Sequence, residues 1–175
     1  MIRFATLAAA AVMAFAAPAA AFASAAVPVQ AAPSPGLPIE AVRAWLTSKG
    51  GNVSPINRQG GDTWINIADG PMTWQVFFYG CQADVCSDIQ YAASFSNPTI
   101  TQALVNDWNR DRRFLKAFFA PGEAGGDSTA VVQYDVLIAS GDVEQLTEPT
   151  ALWLELVGAF GTTVGYFAAP APAAE

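Results

Sequence analysis

Four basic side chains follow one another closely near the middle of the chain: Arg110, Arg112, Arg113 and Lys116. They come directly after a segment with helical spacing, so we expect them at a helix C-terminus, where cations oppose the negative end of the helix dipole. One interpretation is a stabilised helix end with solvated arginines. The other is a binding site for a small anion, a metabolite or an acidic peptide, formed by Arg110, Arg112 and Arg113.

Carboxylates are the remaining candidates for acid–base chemistry, because the chain contains no histidine. Carboxylates recur at i, i+4 spacing, as in Asp84 with Asp88, Asp107 with Asp111, and Glu144 with Glu148. A helix places such a pair on one face, and paired carboxylates can hydrolyse glycosides or bind calcium. Surface helices and turns carry the same pairs without any such role, so we predict no catalytic residue.

Neither a cofactor nor a metal is predicted. The sequence lacks EF-hand spacing, a P-loop, a G-x-S-x-G elbow and a G-x-G-x-x-G loop. The absence of histidine also excludes His-dependent triads, His-ligated zinc or haem, and histidine-based pH switches. These exclusions favour a protein that is not an enzyme.

The two cysteines of the chain are Cys81 and Cys86. In an oxidising compartment a closely spaced pair favours a disulfide, and the alternative is a free or regulatory dithiol. Two thiols alone cannot complete a zinc site, and the spacing is not that of a thioredoxin-like centre. We therefore expect a Cys81–Cys86 bond at the end of a hairpin.

The N-terminal segment predicts export. Arg3 is the only charged side chain before Glu40, and it is followed by a short apolar run and alanine-rich positions. This arrangement is typical of a cleavable secretory signal peptide over residues 1–25, with cleavage after Ala25 or, as the second choice, after Ala23. We predict a periplasmic or secreted protein, and the alternative is an uncleaved anchor.

Composition limits the partners of the exported chain. The net charge is −7, and it becomes −8 without residues 1–25 because only Arg3 is lost. Such an acidic protein is a poor candidate for binding nucleic acids or anionic membranes. Residues 26–36 form a Pro/Ala linker, 37–167 are long enough for one domain, and 168–175 form a Pro/Ala tail that we expect to be disordered.

The first half of the domain predicts a helix and then extended segments. The helix begins near Pro38 and ends at Gly50. A weak segment over 53–58 is interrupted by proline, and strands follow over 63–68, 72–80 and 88–95, with Asp69-Gly70 as a hairpin turn. Strict alternation turns Phe77 and Tyr79 away from the core. Either a helix also covers that face, or the face binds a peptide or a second copy.

The second half predicts a helix over 98–109 with Asn97 as its N-cap, strands over 112–120 and 129–139, and a last helix. The last helix begins near Asp142 or Thr147 and ends near Phe167, and its glycines favour packing on the sheet over a membrane span. The order α-β-β-β-α-β-β-α predicts an α+β fold, in which an antiparallel sheet of about five strands packs against helices.

Residues 37–167 resemble the YbjN domain family. The resemblance rests on Trp108-Asn109 at the end of the middle helix, on Arg113-Phe114 after it, and on a strand containing residues 133–136 that is followed by Gly141. It implies a fold like that of type III secretion chaperones and a role as a sensory-transduction regulator, without catalytic residues. The signal peptide and the cysteine-containing hairpin depart from the family pattern and argue against a cytoplasmic role.

Together these observations predict a non-enzymatic periplasmic domain that binds a protein or peptide partner in a regulatory or chaperone-like role. The partner can also be a second copy of the chain, which would form a homodimer. The alternative is a module that binds a small anion or metabolite through the cluster from Arg110 to Arg113. The predicted binding residues are therefore Phe77 and Tyr79 on the sheet and the three arginines after the middle helix.

Overall fold

The computed structural model describes residues 36–123 and 126–167. The predicted signal peptide, residues 26–35 of the predicted linker and the predicted C-terminal tail lie outside the described residues. The helices and strands are, in chain order, β1 (Leu37–Pro38), α1 (Ile39–Ser48), β2 (Asn52–Val53), β3 (Asn57–Gln59), β4 (Asp62–Asp69), β5 (Met72–Tyr79), β6 (Val85–Cys86), β7 (Asp88–Asn97), α2 (Gln102–Asp111), β8 (Lys116–Ala120), β9 (Ser128–Leu137) and α3 (Thr147–Thr163). A short 3₁₀ helix, Val143–Leu146, precedes α3.

The main sheet has seven antiparallel strands in the order β2-β4-β5-β7-β9-β8, with β3 also paired to β4. The predicted α+β class is confirmed, and the five long strands β4, β5, β7, β8 and β9 are the predicted ones. The sheet has more strands than predicted because the segment around Pro55 forms two short strands on the edge of β4. Pro55 cannot donate a ladder hydrogen bond, so it separates them.

The β4–β5 hairpin follows from its turn and its alternation. Asp69 lies opposite Met72, and Gly70 takes a positive φ of 56° that a two-residue hairpin turn requires. Alternate residues of β5, from Met72 to Phe78, are buried on one face of the sheet. We call this buried face the inner face and the opposite one the outer face.

All three helices pack on the inner face. In α1, Leu46 lines a small cavity together with Ile67 of β4 and Trp74 of β5. In α3, Trp153 lies 6.0 Å from Trp74 of β5 and Phe160 lies 5.6 Å from Phe95 of β7, measured between ring centroids. In α2, the Trp108 ring meets Phe160 edge-on at 5.0 Å. The core therefore lies between one face of the sheet and the helices. Among the described residues, no helix is long and apolar enough to span a membrane.

The predicted start of α2 is wrong. The helix begins at Gln102, and its N-cap is Thr101, whose hydroxyl accepts a hydrogen bond from the Leu104 amide. Asn97 instead ends β7 opposite Ser128, and its side chain donates to the Val164 carbonyl at 2.8 Å. The long β7–β9 ladder and this tertiary contact outweigh the local capping signal.

The predicted strand over 112–120 is also partly wrong, because β8 begins only at Lys116. Residues 112–115 form a bend in which Phe114 takes a positive φ of 72° and the Leu115 amide donates to the Arg113 carbonyl. An extended strand has no residue in the left-handed region. The basic residues after α2 are therefore presented on a bend between a helix and an edge strand.

Candidate functional site

The outer face of the sheet carries three aromatic side chains at one corner. Trp64 of β4 lies directly opposite Phe77 of β5, and their rings stack with centroids 6.0 Å apart. Tyr79, two residues further along β5, is 42% exposed. We call Trp64, Phe77 and Tyr79 the outer patch. Alternation in the sequence predicted the outward positions of Phe77 and Tyr79. The same argument applied to β4, where Ile65 and Ile67 point inward, would have placed Trp64 on the outer face.

The outer face beside this patch is polar and hydrogen-bonded. Gln75 donates to Asn66, and Asp135 accepts from both Gln90 and Lys116 at 2.6 Å. Burial raises the pKa of Asp135, but the hydrogen bonds from Lys116 and Gln90 outweigh it, so the net pKa is lowered and the group stays ionised. These hydrogen-bonded polar groups lie beside the outer patch on the same face of the sheet.

Tyr79 remains a neutral hydrogen-bonding group at physiological pH. Partial burial, and then the negative charges of Asp62 and Asp135, raise the pKa of its phenol above the usual value. The side chain therefore presents an apolar ring with an uncharged polar tip. Such side chains are common at protein interfaces, because the ring contributes area and the hydroxyl can still find a partner.

The arginines after α2 have different environments. Arg110 forms ion pairs with Asp107 at 2.7 Å and with Asp111 at 2.8 Å, and these contacts raise the pKa of Arg110 and lower that of Asp111. The Arg112 guanidinium lies over the Trp108 ring, and the Arg113 guanidinium lies over the Phe114 ring. The three predicted arginines therefore all lie at the end of α2, but Arg110 is already paired with carboxylates.

Trp108 and Asn109 hold the end of α2 against the edge strand. The Trp108 indole donates to the Leu115 carbonyl at 3.3 Å. The Asn109 amide donates to the Ala117 carbonyl at 2.8 Å and accepts from the Ala117 amide at 2.9 Å. Asn109 thus satisfies both backbone groups of Ala117, as a neighbouring strand would do.

The disulfide joins Cys81 to Cys86 at the turn between β5 and β7. Cys86 is fully buried and lies opposite Leu37 in the small β1–β6 sheet. The Asp84 carbonyl, also in this loop, accepts from the Ile39 amide at the start of α1. The disulfide loop therefore connects the hairpin to the first helix.

The carboxylate pairs do not form a catalytic constellation. Arg110 binds both members of the Asp107–Asp111 pair, and Glu144 binds the Trp45 indole and Lys49. Within residues 36–123 and 126–167, the structure contains no group of His, Cys, Asp or Glu side chains that could hold a metal ion. The surface carboxylates of these pairs instead serve as ion-pair and hydrogen-bond partners.

Comparison with known proteins identifies one family. Residues 38–165 match the model of a family described as "YbjN: Putative bacterial sensory transduction regulator". A solved crystal structure of YbjN from E. coli, described as a "putative transcription regulator", is similar at 14% sequence identity, over 71% of this chain and 87% of that chain, with a TM-score of 0.46. A search of curated proteins found no match.

Proposed function

Since this chain belongs to the YbjN family, we propose that it is a non-enzymatic regulatory domain whose outer patch binds a protein or peptide partner. The observation that supports the proposal most directly is the position of the helices. All three pack on the inner face, so among the described residues no helix covers the outer patch, in which Tyr79 is 42% exposed and Trp64 and Phe77 are half-buried. Contiguous aromatic side chains at the surface mark interaction sites more often than isolated ones do.

The patch is also suited to binding by its rigidity. Trp64 and Phe77 are fixed opposite each other on adjacent central strands, so little side-chain freedom is lost when a partner covers them. Complete burial of an exposed aromatic side chain contributes about 1.5–3 kcal/mol. Trp64 and Phe77 are already half-buried, so a partner that covers them gains only the remaining part of this energy, and Tyr79 adds the most newly buried area.

The proposal gives the carboxylates of the ion pairs no catalytic role. The chain has no histidine, and a carboxyl group acts as a general acid at neutral pH only where its pKa is raised. The pKa values of Asp111, Asp135 and Glu144 are all lowered. They are ionised bases held by cations and amides, which fits ion pairing and not proton donation.

We place this function outside the cytoplasm. Two features support export: the signal-like residues 1–25 and the Cys81–Cys86 bond, which persists in oxidising compartments. The partner is therefore sought in the bacterial envelope. This placement is tested separately from binding, by the mass and thiol content of the protein recovered from the periplasm.

Affinity capture tests the binding proposal. The full-length chain with a C-terminal tag is recovered from the periplasm, incubated with envelope extract and crosslinked. The wild type is compared with Phe77→Ser/Tyr79→Ser and with Leu154→Ser, which alters an exposed apolar side chain on α3, on the opposite side of the sheet.

We expect one protein to be retained by the wild type and by Leu154→Ser and to be lost in the double variant. The purified partner should then bind the double variant at least about tenfold more weakly, which corresponds to 1.4 kcal/mol. Equal retention by all three proteins would contradict the role of the outer patch. Only self-crosslinks, lost in the double variant, would identify the partner as a second copy.

A further inference from the structure

We propose that the bend after α2 and the edge strand β8 form a second binding site, which takes an acidic peptide segment. Its carboxylates would bind the two arginines of the bend, and its apolar side chains would pack on the adjacent phenylalanines. The residues of this site, which we call the arginine groove, are Arg112, Arg113, Phe114 and Phe118. The site shares no side chain with the outer patch, so the two proposals can fail independently.

The two arginines are available for a carboxylate. Within the described residues, Arg112 and Arg113 take no part in an ion pair, whereas Arg110 beside them has two. Each guanidinium stacks on an aromatic ring, 5.5 Å from the Trp108 centroid for Arg112 and 5.0 Å from the Phe114 centroid for Arg113. Stacking covers one face of the guanidinium and leaves its edge, which carries the N–H donors, free to bind a carboxylate in bidentate fashion.

The shape around Arg112 fits a ligand longer than a single small anion. Arg112 lines two neighbouring cavities, of about 530 Å³ between α2 and the end of α3, and of about 310 Å³ between α2 and β8. Leu104, Trp108 and Thr163 contribute to the first cavity, and Phe114 and Phe118 to the second. Asp107 and Asp111 also line the first cavity, but both carboxylates form ion pairs with Arg110. A ligand with one carboxylate at Arg112 therefore has room for apolar groups on both sides.

Phe114 and Phe118 give the groove its apolar component. They are 55% and 51% exposed, although most large apolar side chains of this domain are buried. Phe114 also takes a positive φ of 72°, a conformation that bulky residues rarely adopt. Strained backbone of this kind is concentrated at binding sites, where it holds a side chain in a position that an unstrained chain would not give it.

The edge of β8 can also pair with a peptide. Asn109 already occupies the outward backbone groups of Ala117. Because backbone direction alternates along a strand, the amide and carbonyl of Phe119 face the same way as those of Ala117 and away from β9. An extended peptide can therefore continue the sheet beside Phe119 while its side chains reach the arginine groove.

Charge selects an acidic segment. The chain carries a net charge of −7, yet four of its eight basic residues lie between 110 and 116. A negatively charged segment is repelled by the molecule as a whole and attracted at this place, which steers it to the groove. The negative end of the α2 dipole opposes binding by only about half a charge, against two full charges on Arg112 and Arg113.

The test uses two short, end-blocked, fluorescein-labelled peptides at low salt. One alternates glutamate with phenylalanine and leucine, and the other has glutamine in place of every glutamate. Affinities for the full-length chain are measured by fluorescence anisotropy for the wild type and for Arg112→Gln/Arg113→Gln. The matched control is Arg43→Gln/Arg58→Gln, which removes the same charge from two arginines that have carboxylate partners elsewhere on the surface.

We expect the glutamate peptide to bind about tenfold more tightly than the glutamine peptide. The groove variant should lose about tenfold in affinity for the glutamate peptide, and the control less than about twofold. Arg112→Lys/Arg113→Lys should lose an intermediate amount, since lysine keeps the charge but neither stacks nor binds in bidentate fashion. The Lys variant also keeps the proposal testable if the Gln variant unfolds.

Four results would overturn the proposal. Equal affinity for the two peptides would show that carboxylates are not recognised. Equal loss in the groove variant and the control would show a general effect of net charge. Competition by free glutamate as effective as that by the peptide would reduce the site to one for small anions, and self-association lost in the groove variant would make a second copy its occupant.

Discussion

Replacing Asn109 tests how α2 is fastened to the sheet. Asn109→Ala removes two hydrogen bonds to the Ala117 backbone, of 2.8 and 2.9 Å. Each is worth about 0.5–1.5 kcal/mol, and alanine regains about 0.6 kcal/mol of helix propensity, so the net loss is about 0.5–2.5 kcal/mol. This corresponds to a melting midpoint lower by roughly 2–10 °C for a domain of this size.

Asn106→Ala is the matched control for this substitution. Asn106 lies on the same helix, is exposed, and its side chain only accepts one weak hydrogen bond, from Gln102 at 3.3 Å. Its replacement should leave the free energy of unfolding unchanged or raise it by about 0.5 kcal/mol, through helix propensity alone. The difference between the two variants therefore measures the contacts with Ala117.

Urea unfolding gives the global effect, and amide hydrogen exchange gives the local one. In Asn109→Ala the Ala117 amide loses its acceptor, so its exchange should accelerate by about tenfold or more, while exchange in β5 and β7 changes only with global stability. If Asn109→Ala behaves as Asn106→Ala does in both measurements, the amide pairing does not hold the edge strand. The interpretation that Trp108 and Asn109 hold α2 against the edge strand would then be wrong.

Four further predictions follow from single contacts. Trp108→Ala should destabilise by about 3–5 kcal/mol because the ring is buried, and an unchanged midpoint would place it at the surface. Burial raises the pKa of Tyr91 to about 12 from 10.0. The stability that depends on the protonated phenol is therefore complete below pH ~10 and is lost as the pH rises to ~12. Urea unfolding should show a fall of about 2–3 kcal/mol in the free energy of unfolding over this range, and Tyr91→Phe should remove that fall. Phe114→Gly should raise stability by up to about 1 kcal/mol by relieving the positive φ, yet weaken acidic-peptide binding; a lower midpoint would refute the strain. Intact mass of periplasmic protein should show loss of about 25 residues and of two hydrogens for the Cys81–Cys86 bond, and two free thiols would contradict it.

Sequence patterns predicted the parts of the fold that local periodicity determines. In β5, alternation predicts that Phe77 and Tyr79 turn away from the core, and the alternate residues from Met72 to Phe78 are indeed the buried ones, because alternation over a long strand has one consistent solution. The start of α2 was not, since Asn97 and Pro98 have the local signature of a helix start. Asn97 is instead occupied by the Val164 carbonyl, a contact between residues distant in sequence that no local signal contains.

The candidate surfaces were predictable to different degrees. Phe77 and Tyr79 could be placed on the outer face by alternation, but only the packing of the helices on the inner face decides that no helix of the described residues covers them; Phe77 is half-buried and Tyr79 exposed. The arginine cluster could be found from the sequence, but the sequence did not show which arginines are paired with carboxylates and which are not. Arg110 is neutralised because Asp107 and Asp111 lie within reach on the same helix, while Arg112 and Arg113 lie beyond its end.

The residues on which the family resemblance rests also fall into two groups, one buried in structural contacts and one at the surface. Trp108 and Asn109 point toward the sheet and bind backbone carbonyls or amides, so their identities are explained by stability alone. Arg113 and Phe114 make no such contacts and lie at the surface on a strained bend. Phe114 has two contacts of its own, an edge-on contact with Tyr134 at 6.5 Å and the Arg113 guanidinium over its ring, but it stays 55% exposed at a positive φ. We therefore expect substitution of Trp108 or Asn109 to lower stability, and substitution of Arg113 or Phe114 to change mainly the affinity for the acidic peptide.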